Sequence, residues 1–390
     1  MHIAMISEHA SPLGVGEQDA HLADLSAALA EQGHDVRVYT RREDPDVAEV
    51  VVTPSGVHVV HVVAGPARPL PPDLLLPHMG EFARALGEQW RHGWVPDVAH
   101  AHFWTSGLAA VTAAKQIGIP VVQSFHELGE VGEAAYGPSR SGYERALGRA
   151  VDRVVAQTQE EVQGLVRIGV PRARLIVVPS GVDSERFSPD GPAVQRDPDR
   201  FRILSVGKLV ERKGFGDVIQ AMRYVPDAEV VVIGGPSPEQ LPADPGARLL
   251  RSMAEQFKVA DRFRLVGSVP HRDMPSWYRS ADLLVATPWE EQSALEAMAC
   301  GVPIVGQASG ALTETVVDGL TGDLVPARDP RALGGALRRL VNDKVRRFTY
   351  ATAALDRARQ AYSWKRVAAQ IGSVYTGLRR TPAPVAEDVA

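Results

Sequence analysis

Short apolar runs and longer amphipathic segments alternate along almost the whole chain. In the first half, runs rich in Val, Ile and Ala predict strands at His2–Ser7, Asp35–Thr40, His58–Val63, Val98–Ala101, Val121–Ser124, Val154–Ala156 and Leu175–Val178. In the second half they predict Arg202–Val206, Glu229–Ile233, Phe263–Val266, Leu283–Ala286, Pro303–Val305 and Asp323–Val325. Many lack the period-two alternation of a half-exposed sheet, which is the signature of strands buried on both faces. Helical periodicity fills the intervals, at Ala20–Gln32, Gly107–Ile117, Glu160–Ile168 and Asp217–Met222, and again at Trp364–Leu378. Strand and helix alternating in this way predict an α/β chain with doubly wound, Rossmann-like parallel sheets.

At 390 residues the chain exceeds a single core and suits two domains. Between the halves, Ser184–Arg200 holds Pro189, Gly191, Pro192 and Pro198 and little that is apolar. That composition predicts a first domain over 1–188, a linker at 189–200 and a second domain over 201–363. A last helix, 364–380, is expected to fold back toward the first domain, ahead of a disordered tail at 381–390.

Composition narrows the chemistry. A net charge of −5 argues against a nucleic-acid partner, which leaves a basic footprint. The one cysteine, Cys300, excludes an internal disulfide and a cysteine-bound metal cluster. No basic-apolar leader opens the chain and no run approaches the ~18 apolar residues of a membrane span. A cytoplasmic protein is expected; peripheral contact with a membrane stays open, and no pattern addresses the oligomeric state. Asp44-Pro45-Asp46 and Asp197-Pro198-Asp199 place proline between acids in polar loops, which suits turns better than metal. No other spacing suggests ligands, so no metal and no cofactor is expected.

Of the 42 basic residues only six are lysines, and Lys208 and Lys213 fall together directly after the strand that ends at Val206. A strand running through Gly207 into two ammonium groups, with a helix behind, is suited to a diphosphate. A second junction places a carboxylate, Glu296, in Ala294–Pro303. A nicotinamide site is a poor alternative: Gly14-Val15-Gly16 stands too far from the first strand's end and lacks a third glycine in the helix.

Several stretches together resemble the retaining glycosyltransferases of family 4, whose GT-B fold has two Rossmann-like domains facing across a cleft. They are Ser7–Leu13, Pro96–Trp104, Val178–Asp183, Gly207–Gly214, Ala281–Leu283 and Leu295–Pro303, within a resemblance running from Met1 to about Tyr375. Within that family the chain is most similar to actinobacterial members of the mycothiol-synthase and aminoglycoside type. The resemblance implies a metal-independent transfer from a nucleotide-sugar donor to a small hydroxyl acceptor. It implies that Lys208 and Lys213, with Gly207, hold the donor diphosphate. Glu296 would take the ribose hydroxyls, and His126 would face the donor sugar.

Two departures from the family pattern stand out. The loop Pro288–Glu296 is about three residues short, roughly 4.5 Å of helical rise, and it lacks the usual glycine. Glu291, Gln292 and Ser293 are then expected to line the donor site, with Gln292 and Ser293 supplying side-chain donors. The Gly-rich acceptor and phosphate loop is reduced to Gly14, Gly16 and Gln18, with Glu17 in place of a second glycine. Loops altered in this way fit changed specificity. They also fit an impaired homologue acting as a nucleotide-sugar-binding or activator protein.

Overall fold

The computed structural model describes residues 1–14, 16–71, 74–129, 140–286, 288 and 291–378. The expected tail at 381–390, and Trp289 and Glu290 of the short loop, lie outside them. The chain divides into two compact units: Met1–Pro179 with the chain from Val367 on, and Ser180–Arg366.

The first unit is built on one sheet of eight strands: β1 (His2–Ile6), β2 (Asp35–Arg41), β3 (Val50–Val52), β4 (His58–Val62), β5 (Val98–His102), β6 (Val121–Ser124), β7 (Arg153–Ala156) and β8 (Leu175–Val177). Their order is β3-β4-β2-β1-β5-β6-β7-β8, so the sheet is wound outward in both directions from the β1/β5 pair. All pairs are parallel except β3 with β4. Strand β3 is absent from the expectations above. It is a three-residue edge, with Val50 46% and Val52 57% exposed, joined to β4 through a turn closed by Gly56 N–H donating to the Thr53 carbonyl. Too short to show periodicity, it exists because β4 offers it a ladder.

The second unit holds six parallel strands: β9 (Phe201–Val206), β10 (Ala228–Ile233), β11 (Phe263–Gly267), β12 (Leu283–Ala286), β13 (Ile304–Gln307) and β14 (Gly322–Val325). Their order, β11-β10-β9-β12-β13-β14, reverses between β9 and β12. Consecutive residues feed opposite faces. Ile203, Val230, Val232, Leu283 and Val285 enter one apolar cluster, and Leu204, Val231, Ile233, Leu284 and Ala286 enter the other. Each buried Val or Leu contributes roughly 1.5–3 kcal/mol, which is why these strands read as unbroken apolar runs.

The stretch expected as a linker carries contacts of its own. Phe187 is buried in the second unit's core, Val194 N–H donates to Ser276 O at 3.0 Å, and Arg196 pairs with Asp282. The division falls earlier, at Pro179/Ser180. The terminal helix, Trp364–Thr376, hands the chain back to the first unit, where the buried Tyr375 hydroxyl lies 2.6 Å from His100 Nδ1 on β5.

Helix Gln159–Arg167 begins with a reciprocal cap. Thr158 Oγ1 accepts from Glu161 N at 3.0 Å, and Glu161 Oε2 accepts from Gln157 N at 2.7 Å. The other oxygen, Oε1, is buried without a hydrogen-bond partner, and burial pushes the carboxyl up to about 7 against the Gln157 amide. Between its ordinary 4.5 and 7 the native state therefore holds more protons than the unfolded chain, and this group's stability contribution falls as pH rises through that window. Glu161→Gln keeps the cap and removes the charge. It is expected to raise Tm by about a few degrees at pH 8 and to change it little at pH 4.5, read by thermal melts across pH.

Candidate active site

In sheets of this kind ligands bind beyond the carboxyl ends of the strands, where the strand order reverses. In the second unit that point is the end of β9 and β12. Gly207 follows β9 with its N–H on the Ile233 carbonyl at 3.0 Å, and a short 3-10 turn, Glu211–Lys213, leads through Gly214 into helix Phe215–Ala221. The two lysines differ. Lys208 is exposed, whereas Lys213 is only 6% exposed. Gly214 packs beside Pro288, at the head of the short loop after β12, and beside Gln307 at the end of β13. The Lys213 turn and the 288–296 segment are thus neighbours. Gln307 Nε2 also reaches Asp217 Oδ2 at 3.4 Å, and burial raises that carboxyl.

Helix Glu291–Ala299 presents Glu296 to a set of partners the sequence did not suggest. His271 Nε2 lies 2.7 Å from Oε1, the Tyr278 hydroxyl donates to Oε2 at 2.8 Å, and Gln292 Nε2 reaches Oε1 at 3.4 Å. Arg186 Nη1 approaches His271 Nδ1 at 3.5 Å, which assigns the imidazole proton to Nε2, facing the carboxylate. Glu296 is therefore held in one rotamer by three partners, with lone-pair capacity left over. Gln292 is committed within the unit: its amide nitrogen donates to Gly181 O at 3.3 Å and its oxygen accepts from Ser180. Glu291 accepts from Thr315 Oγ1 at 2.9 Å, and Ser293 is buried on the helix face.

In the first unit the reversal point is the end of β1 and β5. Asp19 builds the loop there. Its carboxylate accepts from Ser11 N and Gly16 N, both at 2.8 Å, and caps helix Glu17–Glu31. A Cβ on Gly14 would lie 2.3 Å from that carboxyl group, so a larger residue there would displace the carboxylate from its place in the loop. Gln18 reaches back to His9 Nε2 at 3.1 Å, and His9 Nδ1 lies 3.1 Å from the buried Glu8. Thr105 and Ser106 also donate to Glu8. Burial pushes Glu8 up, but His9 and the two hydroxyls outweigh it and hold the carboxyl below its usual range. Burial pushes His9 down, yet Glu8 and Gln18 outweigh it in turn.

His126 follows β6 with φ at 62°, a left-handed conformation that aims the imidazole back across the strand ends. It stacks on His102 at 5.1 Å and lies tilted against Phe103 at 4.8 Å, and its Nε2 lies 2.9 Å from His102 Nδ1. Burial, reinforced by neighbouring imidazoles, pushes both well below the ordinary value. Near neutral pH His126 is an uncharged donor and acceptor, suited to hydroxyl groups rather than to phosphate.

Comparison with known proteins gives the family. The family model for Glycosyltransferase Family 4 matches residues 18–186, and that for Glycosyl transferases group 1 matches residues 190–357. A D-inositol 3-phosphate glycosyltransferase of Xylanimonas cellulosilytica is 34% identical over 98% of this chain and 98% of its own. The chain belongs to glycosyltransferase family 4. D-inositol 3-phosphate glycosyltransferase 1 of Catenulispora acidiphila is 32% identical over 96% of this chain and 95% of its own. Among solved structures, sucrose-phosphate synthase of Thermosynechococcus elongatus superposes with a TM-score of 0.84 at 26% identity, over 97% of this chain and 98% of that one. HepE of Anabaena, solved with UDP and glucose, shares the fold at a TM-score of 0.74 and 17% identity, over 97% and 100% of the two chains. The α/β architecture is that of the GT-B glycosyltransferases, and among the described residues no helix is long and apolar enough to cross a membrane.

Several side chains of this glycosyltransferase escaped sequence reasoning. Asp19 was legible in principle, since an acid three residues after Gly16 is a capping signal. His271 and Tyr278 had no such signal, because they meet Glu296 only through folding. The same holds for His21, which the fold sets 5.0 Å from the His126 ring.

Proposed function

We propose that the protein is a retaining glycosyltransferase that moves a sugar from a nucleoside-diphosphate donor to the hydroxyl of a small acceptor, with no metal ion in the transfer step. The observation that carries this reading is the buried Lys213 at the reversal point of the second sheet, in a turn whose next residue, Gly214, packs beside Pro288 ahead of the helix that carries Glu296. In this reading Gly207, Lys208 and Lys213 hold the diphosphate and Glu296 accepts from the ribose. Glu291 and Ser293 shape the donor side. Gln292 supports Glu296 rather than the sugar, since its amide nitrogen is already committed. The C1–O bond to the diphosphate breaks, and the acceptor oxygen bonds C1 on the same face. The acceptor's proton passes to the departing diphosphate oxygen. The protein's part is positioning and stabilising the charge that develops on the leaving group. His126, uncharged, meets the sugar hydroxyls, and the Gly14–Gln18 loop faces the acceptor.

The relatives named for D-inositol 3-phosphate make a cyclitol or its phosphate the first acceptors to try. UDP-, GDP-, ADP- and TDP-sugars are incubated with and without D-inositol 3-phosphate and free cyclitols, in EDTA. Release of one nucleoside diphosphate, accelerated by acceptor, with the donor's anomeric configuration kept in the product, is the expected result. No release from any donor overturns the proposal.

Glu296→Gln leaves His271 and Tyr278 competing for one carbonyl oxygen. It is expected to weaken nucleoside-diphosphate binding about 10-fold or more, the scale of a hydrogen bond to a charged group, and to lower Tm. Calorimetric titration reads the first effect and a melt the second; unchanged binding removes the ribose assignment.

A further inference from the structure

One cluster of the first unit has a convergence that the proposed transfer, which uses only His126 of it, does not require. His21, on helix Glu17–Glu31, His102, at the end of β5, and His126, after β6, each offer a ring nitrogen, and these three atoms lie within 4.8 Å of one another. We propose that this trio is a binding site for a late first-row divalent ion of the zinc, cobalt or nickel class.

Four observations support it. Tetrahedral coordination at ~2.0–2.1 Å from each nitrogen separates ligands by roughly 3.4 Å, so small side-chain rotations within this cluster suffice. His102 is 1% exposed; its Nδ1 lies 2.9 Å from His126 Nε2, a contact that an ion between the two rings would replace, and its Nε2 is buried with no hydrogen-bond partner. The neighbouring His100 is different: Ser124 Oγ lies 2.9 Å from its Nε2 and the Tyr375 hydroxyl 2.6 Å from its Nδ1. It is fully bonded and sits outside the set, packed on His102 at 4.4 Å, where it fixes the plane of that ring. Finally, Gln157 lies 3.4 Å from His126 Nδ1, placed to accept from that nitrogen once its amide is turned, as the outer partner of a ligating imidazole does.

The ligand type sets the ion. Three uncharged imidazoles suit zinc, cobalt, nickel or copper, whereas magnesium and calcium require oxygen. His21 and His126 are half-buried rather than sealed, which leaves a fourth position for water or a small ligand. Among the described residues this is the group of histidines and acids with such convergence.

The test uses the full chain, free of any histidine tag. Titration with cobalt chloride, read by visible absorption, is expected to give saturable bands at one ion per chain, displaced by zinc and untouched by magnesium. His21→Ala and His126→Ala, checked for folding by circular dichroism, are each expected to weaken cobalt binding by about 10-fold or more, with His92→Ala, an exposed control, binding as the parent. Zinc-edge X-ray absorption on the unmutated protein, which needs no variant, is expected to show about three imidazoles at ~2.0 Å. Absence of stoichiometric cobalt or zinc binding, equal affinity in the His21 and His126 variants and the parent, or fewer than two imidazoles around zinc would overturn the site. None of these readouts depends on sugar transfer.

Discussion

Lys213→Ala is expected to lower the rate of sugar transfer by roughly 10²–10³-fold, the scale on which removal of one preorganised donor to a developing anion acts. The argument starts from burial. An ammonium only 6% exposed sits where water screens it poorly, so its interaction with a leaving diphosphate is stronger than that of the exposed Lys208. The effect should fall on kcat more than on donor binding, because the charge it meets grows as the C1–O bond breaks. Loss of the long stem is a separate matter. Lys213→Met keeps most of the volume and removes the charge, and it should show the same kinetic loss with a melt closer to the parent. Steady-state kinetics on both variants, beside circular dichroism, make the comparison. An undiminished rate in Lys213→Met would remove the phosphate assignment, and an equal loss from Lys208→Met would contradict the ranking by burial.

The second large effect is structural. Gly234 follows β10 with φ at 138°, and a Cβ there would lie 1.9 Å from the carbonyl oxygen of Gly207. Backbone meets backbone, so nothing flexible can yield. Gly234→Ala is expected to cost roughly 3 kcal/mol, from the strained φ together with the overlap, and to push the Gly207 turn off the end of β9. Gly319 separates the two causes, since it has φ at 72° in the same unit with nothing within 4 Å of its would-be Cβ. Gly319→Ala should cost only about 1 kcal/mol. Thermal melts rank the two variants, and nucleoside-diphosphate titration of Gly234→Ala tests whether the Lys208–Lys213 turn is lost with it. Equal destabilisation would mean that close approach of the two strand ends is unimportant.

Most strands were legible because each is a local event. Leu283–Ala286 is apolar on both faces whatever its partners, and turn residues bound it. Helix Glu17–Glu31 begins three residues before its apolar periodicity, because the Asp19 carboxylate holds Gly16 N–H at 2.8 Å and extends the first turn. Strand β3 shows the converse, with three valines that carry no signal until β4 offers them hydrogen bonds. The 189–200 stretch read as a linker because composition reports polarity and not partners; its contacts with Ser276 and Asp282 come from residues some eighty positions away.

The candidate site divides along the same line. Lys208 and Lys213 could be singled out from one sequence because they sit at a strand-to-helix junction, and Glu296 because it lies in the helix that follows another; such successions are written in neighbouring residues. That Lys213 is buried and Lys208 exposed, that His271 and Tyr278 clasp Glu296, and that His21 joins His102 and His126 are outcomes of packing. They depend on which strand ends lie side by side. The linear pattern of apolar and polar residues determined the class of fold and the places where a diphosphate could rest. Only folding, through contacts between segments tens of residues apart, decided how charged and how exposed the groups at those places are.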